Sequence, residues 1–380
     1  MQTVIVGAGI LGASTAFHLA RTGARVVVID EALDGRATAA GAGIICPWVS
    51  GVQDDAFYRL YAGGGEYYKE LIAALAEAGE NDLGYRRTGA MLLSGDVEEL
   101  AWLERLAIRR KAASPAMGDV TRLSPAQAQA LFPLLRQDLG AVHVAGGARV
   151  DGRRLAAALL RAARHHGATL LQGHADLRQD AGRIRGVELR GEWIPADRVI
   201  VTAGAWADQV VRPLGLNLPV EPQRGQIVHF YLQDAETADW PVILPPGSHY
   251  IVPFDGGRIV AGATRETGVG FDNRVTAAGQ MEVLSEALRI APGLAPATVM
   301  ETRVGFRPVA ADGRPLLGWL SKVEGLAVGN GLGAAGLTIG PFAGRLLADL
   351  VMRRPALMSM APFYPMRHAA ATADTPEPLR

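Results

Sequence analysis

At 380 residues the chain is long enough for one large domain or two interleaved domains with a substantial buried core. Its 38 basic and 38 acidic residues balance, which argues against nucleic acid or an anionic membrane surface as a main partner. Cys46 is the single cysteine, so an internal disulfide framework and a cysteine-based zinc cluster are excluded and no metal site is expected. A reducing cytoplasm is compatible with that count, with peripheral membrane association left open. No stretch reads as long and apolar enough to span a bilayer.

The N-terminal thirty residues carry the strongest local signal. An apolar strand at 3–6 runs into Gly7-Ala8-Gly9-Ile10-Leu11-Gly12, then an apolar helix, then a second strand ending at Asp30. This is a βαβ unit with a Gly-x-Gly-x-x-Gly turn. Gly7 permits the tight turn and Gly9 lets a pyrophosphate approach the backbone. Gly12 lets helix and strand pack closely, and the helix N-terminus offers free N–H groups to phosphate. Asp30 stands where a carboxylate accepts from both ribose hydroxyls, which disfavours a phosphorylated ribose. The turn alone leaves NAD and FAD as alternatives. The same pattern, broken by three glycines and without a basic leader, reads as strand–turn–helix rather than as a signal peptide.

Residues 35–45 are small and almost uncharged, suited to close backbone approach to a flat ligand. A helix is predicted over 54–78 from the spacing of Phe57, Leu60, Tyr61, Tyr68, Leu71, Ile72 and Leu75. A strand at 89–93 and a helix over 97–110 follow, then a helix capped by Ser124 with Pro125 in its first turn. Residues 151–167 read as a helix closed by a glycine, 169–172 and 183–189 as strands. The run 198–206 is a buried strand ending in small residues, Gly204 among them. Strands at 225–232, 249–254 and 258–263 suggest an antiparallel sheet. A helix is expected over 277–290, a strand at 325–329, and a helix running to about 352. Ser248 and His249 could line the mouth of a pocket but read best as a solvent-facing hairpin tip.

The C-terminal third narrows the field. Val304-Gly305-Phe306-Arg307-Pro308, then Asp312-Gly313-Arg314-Pro315, then the glycine-rich 329–338 leading into a helix, occur in that order. Together with the N-terminal turn, 35–45, 201–206, 222–226, 250–253 and 260–264, they resemble the D-amino acid oxidase-like flavoprotein superfamily, nearest its glycine oxidase and small D-amino acid dehydrogenase branch. The resemblance spans nearly the whole chain. It implies an α/β fold: an FAD-binding Rossmann-like domain with a parallel sheet, interleaved with an α+β substrate domain built on an antiparallel sheet. The implied boundaries are 1–78, 142–217 and 302–365 for the FAD domain, 79–141 and 218–301 for the substrate domain, and 366–380 for a mobile tail.

Carried over position by position, the resemblance implies FAD, bound non-covalently because no histidine or cysteine stands where covalent relatives attach it. Gly7, Gly9, Gly12, Ile10, Leu11, Asp30 and Glu31 match the adenosine half, with Asp176 offering backbone to the adenine. Arg36, Ala37 and Thr38 match contacts near the pyrophosphate. Ala42, Gly43 and Ile44 match backbone against the flavin ring. Gly204 and the run Leu332, Gly333, Gly336, Leu337 and Thr338 match its remaining contacts, with the amides of 336–338 at the pyrimidine edge. A helix N-terminus there stabilises negative charge at N1 and O2.

Arg307 matches an arginine that pairs with a substrate carboxylate, a task for which its fork is suited. Tyr250 matches a tyrosine assisting it. Two positions depart from the glycine oxidase pattern. Arg265 stands where that pattern has an apolar side chain, so it could favour an acidic substrate or simply point to solvent. Ala334 stands where that pattern has a second arginine. The implied reaction is oxidation of the Cα–N bond of a small D-amino acid, glycine or secondary amino acid by hydride transfer to flavin N5. Oxygen, a quinone or another electron carrier would be the acceptor. No catalytic base is assigned. The alternatives are the same fold oxidising a 2-hydroxy acid, an NAD-dependent dehydrogenase, and a flavin subunit that requires a partner. Oligomeric state is left open.

Overall fold

The structure is a computed structural model describing residues 1–367. Gln2–Val6 pairs in parallel with Arg25–Asp30 on one side and Arg198–Val201 on the other. They form the centre of a six-stranded sheet ordered Leu316–Trp319, Leu326–Asn330, Arg198–Val201, Gln2–Val6, Arg25–Asp30, Thr169–Gln172. Only the outer Leu316–Trp319 runs antiparallel to its neighbour. A parallel sheet is covered on both faces, which is why these strands are almost continuously apolar. Side chains alternate between two cores. Ile5 packs with the helices Ile10–Ala20, Asp55–Glu77, Gly152–His165 and Gly336–Val351. Val4 and Val6 face a second layer, which includes the three-stranded sheet of Ala175–Asp180, Arg183–Leu189 and Glu192–Pro195.

Helix Gly336–Val351 lies against Ile10–Ala20 at backbone distance. A Cβ on Gly344 would stand 2.6 Å from the Ser14 Cβ, and the Ser14 hydroxyl donates to the Pro341 carbonyl at 2.7 Å. Pro341 sits inside this helix and has no N–H for the carbonyl four residues back. The Tyr68 hydroxyl supplies it, donating to the Leu337 carbonyl at 2.6 Å. Residues Gly333–Val351 correct one expectation: by length and composition this helical stretch could cross a membrane. Its hydropathy is that of a core helix, with 78% of the apolar window buried.

The second sheet has eight strands, ordered Thr298–Ala310, Val220–Tyr231, Arg258–Gly262, Tyr250–Pro253, Val242–Leu244, Ala90–Ser94, Gly140–Val144, Val120–Leu123. It is antiparallel except where Val242–Leu244 runs parallel to Ala90–Ser94. The long strands Val220–Tyr231 and Thr298–Ala310 pair along nearly their whole length, setting Gln223 opposite Arg307 and Gly225 opposite Gly305. The boundaries expected at 141/142 and 301/302 fall inside Gly140–Val144 and Thr298–Ala310.

Helix ends follow local capping chemistry. Ser124 and Gln127 form a reciprocal capping box, Asp151 caps Gly152–His165 through two amides, and Thr276 caps Ala277–Ile290. The helix expected over 277–290 thus begins and ends where its sequence places it. Most of the expected tail lies outside the described residues. Arg367 is an exception to mobility, since its guanidinium bonds both carboxylate oxygens of Asp312 at 2.7 Å.

Candidate active site

A continuous cavity of about 480 Å³ runs from the carboxyl ends of the parallel strands to the long strands of the second sheet. Such strand ends are where open α/β sheets place their ligands. At its first end the N-terminal turn is built around two close approaches. Gly7 has φ +106°, and a Cβ there would lie 2.6 Å from the Thr202 carbonyl oxygen. A Cβ on Gly12 would lie 1.9 Å from the Gly7 carbonyl oxygen, so Gly12 serves packing and does not reach the cavity wall. Gly9 is the N-cap of Ile10–Ala20 and brings no capping side chain. The Thr38 hydroxyl takes the Ile10 amide at 3.0 Å, leaving the next amides of the turn for a ligand.

Asp30 lies at this end, its carboxylate accepting from the amides of Ala8 at 2.6 Å and Ala32 at 2.8 Å. Arg36 stands 3.5 Å from it. Glu31 pairs with His174 at 3.0 Å, and His174 in turn faces Asp176 at 3.7 Å. His174 lines the cavity whereas Asp176 does not. The sequence reading passed over His174, whose pKa is raised by its bond to Glu31.

Ile10, Leu11, Ala37, Thr38, Ala42, Gly43, Ile44 and Gly204 line the middle of the cavity. Gly43 has φ +88° and a Cβ there would meet the Val150 carbonyl at 1.8 Å, so this position tolerates no side chain. Cys46 also borders the cavity, buried, with its thiol pushed up to about 12 by that burial. Leu332, Gly333, Gly336 and Leu337 form the facing wall. Gly336–Val351 is the second helix whose N-terminus opens here without a side-chain cap. Thr338 lies just behind, donating to the Ile44 carbonyl at 3.0 Å and tying the two walls together. Two uncapped helix N-termini joined by a glycine-lined slot fit a diphosphate at one end and an electron-accepting ring at the other.

Arg307 and Tyr250 close the far end. Arg307 lies across the neighbouring strand: a Cβ on Gly225 would sit 2.6 Å from both terminal guanidinium nitrogens. Its Nη1 donates to the Thr264 carbonyl at 3.0 Å and reaches Gln223 Oε1 at 3.5 Å. Tyr250 similarly folds over Gly262, where a Cβ would stand 2.8 Å from its hydroxyl. Burial raises the Tyr250 pKa, and the Arg307 and Arg265 charges pull against that rise. Burial is also the first cause lowering the Arg307 pKa; Tyr250 works against it, and the Arg265 charge lowers it further. Among the described residues neither arginine has a carboxylate partner. Arg265 is exposed but borders the cavity.

His249 corrects a further expectation. It lines the cavity with Ser248, its side chain is 19% exposed, and its Nε2 stands 3.3 Å from a Glu282 oxygen. Trp206 and Gly225, in the segments 201–206 and 222–226, line the cavity as well. Alternation along Val220–Tyr231 from the Gln223–Arg307 pairing could have pointed to Gly225. Among the described residues the carboxylates bordering the cavity are Asp30 and Glu31, both at the first end, while Arg265 and Arg307 stand without a carboxylate at the other.

Residues 2–350 match the model of the family described as FAD dependent oxidoreductase (DAO). The chain is 50% identical over 363 residues to the uncharacterized oxidoreductase YurR of Bacillus subtilis, covering 95% of this chain and 98% of that one. Glycine oxidase of Pseudomonas putida is 32% identical over 372 residues, covering 96% and 98% respectively. The crystal structure of iminodiacetate oxidase (IdaA) from Chelativorans sp. BNC1 superposes with a TM-score of 0.93 at 53% identity, covering 96% of this chain and 98% of that one. Two helix N-termini facing one glycine-rich cavity and matches of this extent lead to one assignment: the chain belongs to the DAO family of FAD-dependent oxidoreductases.

Proposed function

We propose that this chain oxidises the Cα–N bond of a small secondary amino acid bearing an N-carboxymethyl group, the class to which iminodiacetate belongs. The observation that carries this reading is the unneutralised pair Arg307 and Arg265 beside Tyr250 at one end of the cavity. One arginine serves the carboxylate next to the reacting carbon. The second gives an exposed cation for another carboxylate or a polar substituent on nitrogen, where a glycine oxidase pattern would be apolar. The 53% identity to iminodiacetate oxidase supports the same substrate class.

FAD, when bound, supplies the two-electron acceptor, and the protein contributes alignment. Arg307, held by the Thr264 carbonyl, fixes the carboxylate and so the direction of the Cα–H bond. Tyr250 closes the same pocket and excludes water from one side of the carboxylate. The neutral amine loses its α-hydrogen as hydride and becomes a protonated imine. Water then hydrolyses it to an α-oxo acid and the protonated amine. Ile10, Leu11, Asp30, Glu31 and Arg36 would hold the adenosine and diphosphate half, and 42–44 with 332–338 the ring. We read the cofactor as non-covalent, so acid precipitation of the protein should release all of it.

The test is anaerobic mixing of the purified protein with iminodiacetate, sarcosine, glycine, D-alanine and D-lactate. Bleaching of the flavin band near about 450 nm reports turnover. Rapid bleaching by iminodiacetate and sarcosine is expected. Bleaching by D-lactate alone would overturn the reading in favour of hydroxy-acid oxidation, and no bleaching by any of them would favour a subunit that needs a partner. Repetition in air with peroxide detection separates oxygen from other acceptors.

A further inference from the structure

We propose that Arg224 is a positioning residue that restrains Glu266, an internal anion otherwise placed to compete with the substrate carboxylate for Arg265 and Arg307. The inference rests on the carboxylate site described above and concerns how that site stays cationic.

Glu266 follows Arg265 directly, and Thr264, one residue earlier, provides the carbonyl that holds Arg307. A free acid at this position would be a ready counter-ion for either arginine. The strand Val220–Tyr231 prevents this by alternation. Gln223 and Gly225 lie on the face that receives Arg307, whereas Arg224 and Gln226 lie on the other. On that second face the Glu266 carboxylate takes four hydrogen bonds. Arg224 donates to Oε2 through Nε at 3.1 Å and Nη2 at 2.6 Å. Gln226 Nε2 and the Thr264 hydroxyl each donate to Oε1 at 2.8 Å.

The arrangement is closed on itself. Two backbone bonds of 2.9 Å join Arg224 and Glu266 as a bridge. Arg224, with only 6% of its side chain exposed, also pairs with Asp272 at 3.0 Å. Gln226, fully buried, accepts from the Thr276 amide at 3.0 Å and donates to the Thr276 hydroxyl at 2.9 Å. Burial pushes the Glu266 carboxyl up, and the bonds from Arg224, Gln226 and Thr264 more than reverse that. Glu266 is therefore an anion at neutral pH. Removing the arginine leaves a partly buried carboxylate short of its charged partner, which drives it toward the nearest available cation.

A double-mutant cycle tests this with the FAD-loaded enzyme. Arg224→Gln should raise KM for iminodiacetate about tenfold while kcat falls less than about threefold. Adding Glu266→Gln should bring KM back to within about threefold of the original, since a neutral amide does not compete. A second readout without turnover is the Kd of acetate, followed through the visible spectrum of the bound cofactor. If Arg224 only packs the loop, the double variant binds as weakly as the single one or worse, and that result overturns the inference. Should Arg224→Gln fail to fold, Arg224→Lys with and without Glu266→Gln completes the same cycle, with a smaller rise in KM and the same recovery. Arg307→Met separates the two levels. Unchanged KM in that variant defeats the carboxylate-site reading itself. A large loss there with no recovery in the cycle defeats only the role of Arg224.

Discussion

At the end of the cavity that we propose for adenosine, residues 7–38 bring together the glycine turn, the helix N-terminus, Asp30, Glu31 and Arg36 from one short stretch of chain. At the opposite end Tyr250, Arg265 and Arg307 come from two strands and a loop, and Arg307 and Tyr250 each lie over a glycine of a neighbouring strand. The first end carries acid and backbone amides, the second carries unpaired cations. The difference teaches that the cofactor end is a local device, whereas the substrate end exists only when two long strands pair in one register. Changes at the first should cost the cofactor and the fold together. Those at the second should cost turnover while the protein stays yellow.

The largest effect is expected from Gly12→Val. Its side chain cannot coexist with the Gly7 carbonyl at 1.9 Å from the Cβ position. Loss of at least about 3 kcal/mol of stability is expected, with FAD absent from the purified protein. The ratio of flavin to protein absorbance checks this. Full FAD content in that variant would break the comparison at its first end.

Arg307→Met should leave FAD content intact and lower kcat/KM by about a thousandfold, the loss of a desolvated charge pair worth roughly 4 kcal/mol. Steady-state kinetics with iminodiacetate measures it. Next in size is Gly225→Ala. A methyl group 2.6 Å from the Arg307 guanidinium must push it off its carboxylate position. KM should rise about tenfold, with cofactor binding unaffected. Equal damage to FAD binding would show that the two ends are not separable.

A separate effect is on stability rather than turnover and lies away from both ends of the cavity. Two buried histidines are held in neutral form: His18, beside Tyr67 at 2.7 Å, lowered to about 3, and His229, lowered to about 4. Burial is the main cause for both, with nearby arginines adding to it. Because their folded pKa values are depressed, the unfolded chain binds more protons below about pH 6.5. Stability is therefore full above that pH and falls progressively toward pH 4 and then 3. At pH 5 each histidine would contribute up to about 2 kcal/mol of that loss. Thermal melts at pH 7 and pH 5 should differ by several degrees, and His18→Gln should flatten the dependence. A melt that is level across this range would remove the histidines from the account.

Much of the fold was legible in the sequence because its signals are local. The capping box of Ser124 and Gln127, the Thr276 cap and the spacing in Asp55–Glu77 each act within one helical turn or one face. Short strands such as Val120–Leu123 and Val242–Leu244 escaped, since each is too short to show a period, and Val242–Leu244 joins the distant Ala90–Ser94 as well as its neighbour Tyr250–Pro253. Ser248 and His249 do lie in the loop joining the antiparallel strands Val242–Leu244 and Tyr250–Pro253, as the Pro-Gly-Ser run suggests. The loop is not solvent-facing at His249, because helix Ala277–Ile290, carrying Glu282, packs against it.

The sequence by itself determined the dinucleotide turn at Gly7, Gly9 and Gly12, its acid at Asp30, and, through family resemblance, Arg307 and Tyr250 as candidates for the substrate. The tertiary structure alone decided that Gly225 makes room for Arg307, that Gly262 makes room for Tyr250, and that Glu266 is turned from the arginines by Arg224. The reason is physical. Turns and caps depend on dihedral angles and hydrogen bonds between near neighbours, which composition and spacing express directly. The balance of charge around a cavity depends on sheet register, where a shift of one residue exchanges the two faces of every strand.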